Sequence, residues 1–398
     1  MSAESAKHSY PIPRTLPYEP SPVYAELRKD EPVCPVSLAT GDPAFMVSRY
    51  EDVKAVLSDP RLSREELFRP GASRAQVGIP DPDSILNLDP PRQTKLRQMV
   101  TREFSPRRVE GMRPYIQRLV DELLDDMGKR EGEVDLNDAF FQPLALRIIC
   151  ELLGVPFEDH HRFGEWCDHF MSLTKYTPQE IGKANADMRG YFVDLVAAKR
   201  QNPGEDLLSA LVRKHDEEER LTEAELVSLG VVLLLAGHDT TVTVLGGSVV
   251  TLLRHPDQLE KLRADPSLYA GAIEELVRLN EPGDGSFVRI ATSDVEIGGR
   301  TIPAGGAVIA SISSANRDSR VFDDPDGFHP QRPENPHIAF GHGPHFCIGS
   351  QLARAELEIG LRSLFERFPT LQLTVAPQEL RWKDYAALGG WERVPVTW

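Results

Sequence analysis

Cysteine is scarce in this chain. Only Cys34, Cys150, Cys167 and Cys347 occur in 398 residues, with no C-x-x-C pair and no metal-knuckle spacing. A disulfide scaffold is therefore excluded, each cysteine starts as a lone thiol, and a reducing, cytoplasmic setting is expected. Positive charge is also in short supply: 45 Lys and Arg face 61 Asp and Glu, for a net charge of −16. So acidic a chain makes a poor partner for duplex nucleic acid. The first thirty residues contain Pro11, Pro13, Pro17, Pro20 and Pro22 but no apolar core segment, so neither a signal peptide nor a membrane anchor is expected there. No repeat of 20 to 50 residues and no low-complexity linker divides the chain. One unit over residues 1–398 is expected, with a small N-terminal β-rich part and a larger α-rich part. Apolar residues at 40% and charged residues at 27% exclude disorder. The length suffices for a large core and a cofactor-sized cavity.

What is present reads as mainly α with small β-sheets. Ala44–Val47 is strand-like, and a short helix is predicted around Glu51–Leu57. Residues 66–88, rich in Gly, Pro, Asp and Ser, read as a long loop of the kind that carries function. Helical segments follow from Pro90 to about Gly154, including Val109–Met127, and again over Asp159–Lys199 with a break around Thr174–Pro178. The tail from Leu371 to Trp398 reads as strands and turns, and the acidic run Asp216–Glu219 as a solvated loop.

One segment stands apart. Thr222 and Glu225 have capping-box spacing, and the apolar stretch Leu226–Leu253 follows. Its middle, Ala236-Gly-His-Asp-Thr-Thr241, would be expensive at bilayer depth, so a buried central helix is predicted rather than a membrane span. Gly237 and Asp239 both cost stability there. A packing reading makes Gly237 a close-contact site and bonds Thr240 back to a carbonyl one turn earlier. A functional reading makes Asp239 and Thr240 an acid–alcohol pair that moves protons to a ligand lying against Ala236 and Gly237. His238 points elsewhere on the helix and is not assigned to catalysis.

The second chemical signal is Phe340-Gly-His-Gly-Pro-His-Phe-Cys347-Ile-Gly349, a glycine-rich loop running into a helix predicted over Ile348–Phe368. A cysteine at a helix N-terminus is favoured as the anion. Cys347 could attack a substrate, as in cysteine hydrolases, or ligate a metal centre such as haem iron. Cys34, Cys150 and Cys167 lack such a context and read as inert packing.

With these residues in place the chain resembles the soluble bacterial cytochromes P450, the haem-thiolate monooxygenases. The haem-ligand signature F-x-x-G-x-x-x-C-x-G is met by Phe340, Gly343, Cys347 and Gly349, and the oxygen-activation signature by Ala236, Gly237, Asp239, Thr240 and Thr241. The E-x-x-R pair is Glu275 and Arg278, and F-x-P-x-R is Phe328, Pro330 and Arg332. The resemblance implies the P450 fold, a long central helix across the haem, haem b held by Cys347, and a buried network of Glu275, Arg278 and Arg332. By itself the i, i+3 pair would also fit a surface ion pair worth under ~1 kcal/mol. By similarity Arg97, Arg289 and His337 contact the haem propionates, while Phe340, Gly341 and Gly349 belong to the cofactor-binding loop. Gln93 stands where many relatives have histidine and offers only a neutral hydrogen bond. Substrate contacts are expected at Ile85, Leu86, Leu233, Phe287, Val288 and Trp391, with the Phe170–Met188 region above the haem.

The implied activity is oxidation of a small organic substrate by dioxygen, most simply hydroxylation in specialised metabolism. Oxidative coupling or ring closure uses the same chemistry. Electrons would come from a ferredoxin, or sometimes a flavodoxin, to a monomer. Arg92, Lys95, Arg97, Arg102, Arg107, Arg108 and Arg113, against Glu103 and Glu110, form a basic island for such an acidic partner or a solvated helix face. Rival readings are a cysteine-nucleophile hydrolase and a haem-thiolate sensor; both leave the acid–alcohol pair unexplained.

Overall fold

The computed structural model describes residues 6–75, 81–218, 221–283 and 288–398. Its axis is the helix Glu223–Arg254, 32 residues and so roughly 48 Å long. The capping box forms: Glu225 N–H donates to Thr222 Oγ1 at 3.2 Å, and Thr222 N–H donates to Glu225 Oε2 at 2.7 Å. It is the one helix among the described residues long and apolar enough to cross a membrane, but most of its apolar stretch is buried inside the protein. Its most extensive neighbour is the helix Gln142–Leu153. Helices Pro178–Gln201 and Ser350–Arg367 also pack on it.

The sequence-predicted elements recur with small shifts in their ends. The strand is Pro43–Val47, the short helix Tyr50–Ser58 and the periodic segment Pro106–Met127. The break falls between His160–Phe170 and Pro178–Gln201, where Thr177 and Glu180 form a second capping box. Of the loop 66–88, residues up to Phe68 belong to a short 3-10 segment, Glu65–Phe68, residues 69–75 and 81–88 are turns and irregular chain, and residues 76–80 lie outside the described residues. Asp216 corrects the solvated-loop reading. It lies in the last turn of the helix Leu207–Glu218 and accepts from Arg200 Nε at 3.0 Å, while Glu219 lies outside the described residues.

The largest sheet has six strands in the order His8–Ser9, Val33–Ser37, Pro43–Val47, Ala307–Ala310, Arg289–Ala291, Leu62–Ser63. Pro43–Val47 runs parallel to Ala307–Ala310 with Phe45 opposite Val308, so the N-terminal strands are completed by a segment 260 residues later. Arg289–Ala291 pairs in turn with Leu62–Ser63, which brings Arg289 beside Leu62 and positions part of the site.

The predicted network closes at the helix Tyr269–Leu279. Arg278 donates Nε to Glu275 Oε2 at 2.8 Å and Nη2 to Oε1 at 2.7 Å, and both side chains are fully buried. Arg332 joins through Nη2 at 3.0 Å. Burial opposes the Glu275 charge, yet these guanidiniums hold its carboxyl below the usual carboxylate range. Arg278 also reaches the carbonyls of Asn316, Pro325 and Gly327, pinning the chain that leads to the cysteine loop.

Candidate active site

Two surfaces build the site: one face of the central helix and the cysteine loop. Ala236 is solvent-exposed although its neighbour Leu235 is only 2% exposed, so it lines open interior space halfway along a buried helix. Thr240 stands one turn further on, half-buried, and donates Oγ1–H to the Ala236 carbonyl at 2.6 Å. The helix runs unbroken through this stretch. Gly237 takes the packing reading. A Cβ there would lie 2.8 Å from Ile149 Cδ1, so its missing side chain accommodates the helix Gln142–Leu153 and not a ligand. Thr241 turns away and bonds Glu356, a carboxyl pushed well up by burial.

Asp239 leaves on another side. It lines a cleft of about 20 Å³, one water in size, with Asp168, Lys383, Tyr385 and Trp391. Burial opposes its ionisation, but His238 and Lys383 hold its carboxyl below the usual range.

In the cysteine loop Gly341 at φ +77° and Gly343 at φ +70° take left-handed turns. Cys347 N–H donates to Phe340 O at 2.7 Å, and Phe340 lies under the Arg354 guanidinium, 4.5 Å from its ring centre. The following helix starts at Ser350 with Gly349 as its cap, two residues later than predicted. A Cβ on Gly349 would meet nothing within 4 Å, so open space reaches this end of the loop too. Burial pushes the Cys347 thiol up, and the Gly349 N–H with Arg97 and Arg354 offsets this only in part. Among the described residues no imidazole is hydrogen-bonded to the sulfur. A raised thiol without a base is a poor nucleophile, whereas a bound metal cation displaces the proton directly.

Beside the loop lies a cationic pocket assembled from four distant segments. Arg97 is half-buried with no ion-pair or hydrogen-bond partner among the described residues. Arg289 is 6% exposed and gives Nη1 to Leu62 O at 3.3 Å. Arg64, also 6% exposed, spans Leu86 O, Asn87 Oδ1 and Val288 O. His345 has a buried Nε2 without a partner. Burial and the Arg289, Arg64 and Arg97 charges push His345 down to about 3, which keeps it neutral. Among the described residues Asp89 is the carboxylate that acts on His345 and Arg289, so three guanidiniums keep the pocket rich in positive charge.

Two sequence assignments change here. Both His337 nitrogens are committed: Nε2 lies 3.0 Å from Glu274 Oε2, and Nδ1 accepts from Ala339 N–H. Gln93 is 1% exposed and gives its amide to Pro344 O at 2.8 Å, bracing the cysteine loop. Sequence reasoning missed His345 and Arg64. His345 had a signal, a histidine inside the loop two residues before the cysteine; Arg64 had none.

The family comparison decides the identity. The cytochrome P450 family model matches residues 23–383. The chain belongs to the cytochrome P450 family. It is 44% identical over 397 residues to nocardicin C N-oxygenase of Nocardia uniformis subsp. tsuyamanensis, covering 98% of both chains. It is 42% identical to the monooxygenase PikC of Streptomyces venezuelae, over 96% of this chain and 91% of that one. Among solved structures, SgvP, a proposed thioether synthase involved in the tailoring step of griseoviridin, superposes with a TM-score of 0.95 at 46% identity, covering 98% and 99%. This P450 is thus an oxidoreductase of the monooxygenase class, and the family implies a haem-thiolate cofactor.

The residues fit that group. The guanidiniums of Arg64, Arg97 and Arg289 and the orphan His345 nitrogen suit its two carboxylates, and the open space at Ala236 and Gly349 leaves room for it. The substrate assignments divide. Ile85 and Leu86 are half-buried and Leu233 is 6% exposed at the edge of the core. Val288 at 1% is a core side chain, whereas Trp391, 4% exposed and meeting Trp382 edge-on at 5.0 Å, borders the small cleft at Asp239. Phe287 lies outside the described residues.

Proposed function

We propose that this P450 binds haem b, accepts electrons singly from a ferredoxin, and hydroxylates a small organic substrate of specialised metabolism in the cytoplasm, acting as a monomer. The observation that carries this is the pairing of Cys347 with a proton inlet at Asp239 and an alcohol, Thr240, on the exposed Ala236 face. Bound haem supplies dioxygen activation, helped by electron donation from its thiolate ligand. Cys347 would hold the iron, and Arg64, Arg97, Arg289 and His345 the two carboxylates. Asp239 exchanges protons with its cleft. The Thr240 proton is engaged by the Ala236 carbonyl, which leaves the Oγ1 lone pairs free to accept a hydrogen bond on the open face.

The basic island supports the partner reading in reduced form. Arg92, Arg108 and Arg113 are paired with Glu225, Glu103 and Glu358, whereas Lys95, Arg102 and Arg107 are exposed. The Gln93–Pro344 bond joins this helix to the cysteine loop, where Phe346 is 40% exposed, an apolar centre for an acidic rim.

The test is the carbon monoxide difference spectrum of the reduced protein, followed by turnover with purified ferredoxin or flavodoxin. A strongly red-shifted Soret band that Cys347→Ala abolishes is the expected result; no haem band after haem supplementation overturns the reading. The similarity to SgvP, a proposed thioether synthase, favours a second outcome, oxidative coupling or ring closure without oxygen insertion. Product masses separate the two, since hydroxylation adds one oxygen atom and ring closure removes two hydrogens.

A further inference from the structure

Cys167, on the helix His160–Phe170, faces His238 and Asp239 on the central helix. The candidate donor atoms of the three, one sulfur, one imidazole nitrogen and one carboxylate oxygen, all lie within 4.8 Å of one another. Cys167 is fully buried and His238 is 3% exposed. Nδ1 of His238 sits 3.3 Å from Asp239 Oδ1, the contact through which it lowers that carboxyl, and its buried Nε2 has no hydrogen-bond partner among the described residues. A buried imidazole with an unpaired nitrogen is costly in a finished core. Inert packing accounts for the thiol but not for this ring.

We propose that Cys167, His238 and Asp239 form a binding site for a divalent transition ion of the zinc type. A thiolate and a carboxylate carry two negative charges, so a divalent ion leaves the buried site neutral, with neutral imidazole as the third ligand. Sulfur and nitrogen donors select zinc-like ions over magnesium or calcium. The fourth position belongs to water, which the one-water cleft at Asp239 supplies. Burial and the nearby Asp239 push the Cys167 thiol well up, so the thiol is neutral before uptake. Binding breaks its S–H bond, forms the sulfur–metal bond and releases one proton to solvent.

A consequence rests on the proton-inlet role of Asp239 given above. An ion that claims the Asp239 carboxylate removes it from proton exchange, so zinc inhibits oxidation while haem stays bound.

The experiment titrates the haem-loaded protein with Zn²⁺ against a chromophoric chelator, with Mg²⁺ as control, and records zinc K-edge absorption and oxidation rates. One tight equivalent is expected, with one sulfur at ~2.3 Å and lighter donors at ~2.0–2.2 Å. In Cys167→Ala the affinity falls at least tenfold, the sulfur shell disappears, oxidation without zinc is unchanged, and zinc no longer inhibits. Cys167→Val serves if the alanine variant fails to retain haem. Zinc bound through nitrogen and oxygen alone, or equally well by Cys167→Ala, overturns the site. Tight Cys167-dependent binding without inhibition upholds the site and overturns the Asp239 inlet.

Discussion

The charged residues around the cofactor loop do work that their types alone do not reveal. Glu274 takes Arg354 Nε at 2.6 Å as well as His337, and these partners outweigh burial to hold its carboxyl at about 2. A carboxyl depressed in the folded state contributes stability above its unfolded value near ~4.3, and that stability is lost as pH falls towards 2. Urea unfolding at about pH 7 and about pH 3 should therefore show a smaller pH difference for Glu274→Gln than for the parent protein; equal differences would remove this role. Thr240→Ala should keep haem and substrate binding but divert electrons from product, read as reduced product per electron consumed. His345→Ala should weaken haem retention, measured by transfer to apomyoglobin, more than His337→Gln does, because only His345 offers an uncommitted nitrogen. His345 and His337 are eight residues apart in one loop, and nothing local says which has a free nitrogen.

At the scale of elements, the central helix was readable because its signals are local. A capping box, a long apolar run and a polar interruption lie within 32 consecutive residues. The purpose of the interruption was only half legible. Gly237→Ala should cost ~1–3 kcal/mol by driving a methyl into Ile149, with partial recovery in the double variant carrying Ile149→Val. A harmless Gly237→Ala, measured by thermal unfolding of the haem-loaded protein, would show that the helix Gln142–Leu153 can move aside. Thr222→Ala should cost ~1 kcal/mol through the lost cap. The cysteine loop was readable for the same reason, since its glycines and cysteine are contiguous. The start of the helix after it was misplaced by two residues because Gly349 caps it without a side-chain signal.

At the scale of the whole molecule, a net charge of −16 coexists with a few exposed cations around one exposed aromatic. Neutralising Lys95, Arg102 and Arg107 together should slow electron delivery roughly tenfold at low ionic strength. The effect should fade with added salt, as screening requires, and leave substrate affinity unchanged. Stopped-flow reduction at two ionic strengths decides it, and a salt-independent loss would point to damage of the fold instead.

The sequence by itself determined the family, the helix that crosses the molecule, the cysteine that would hold iron and the Glu275–Arg278 pair, because each is written in a short span governed by local geometry. It also determined the acid and alcohol at Asp239 and Thr240. Only the tertiary structure decided which side chains face which space. Arg64, Arg97, Arg289 and His345 meet because a sheet pairs Leu62–Ser63 with Arg289–Ala291 and an amide bond ties Gln93 to Pro344. Val288 turns into the core, and Cys167 meets His238 across two helices, through contacts that depend on how whole elements pack. Periodicity fixes the face a residue occupies within its own helix or strand. What that face meets is set by the close packing of segments far apart in the chain.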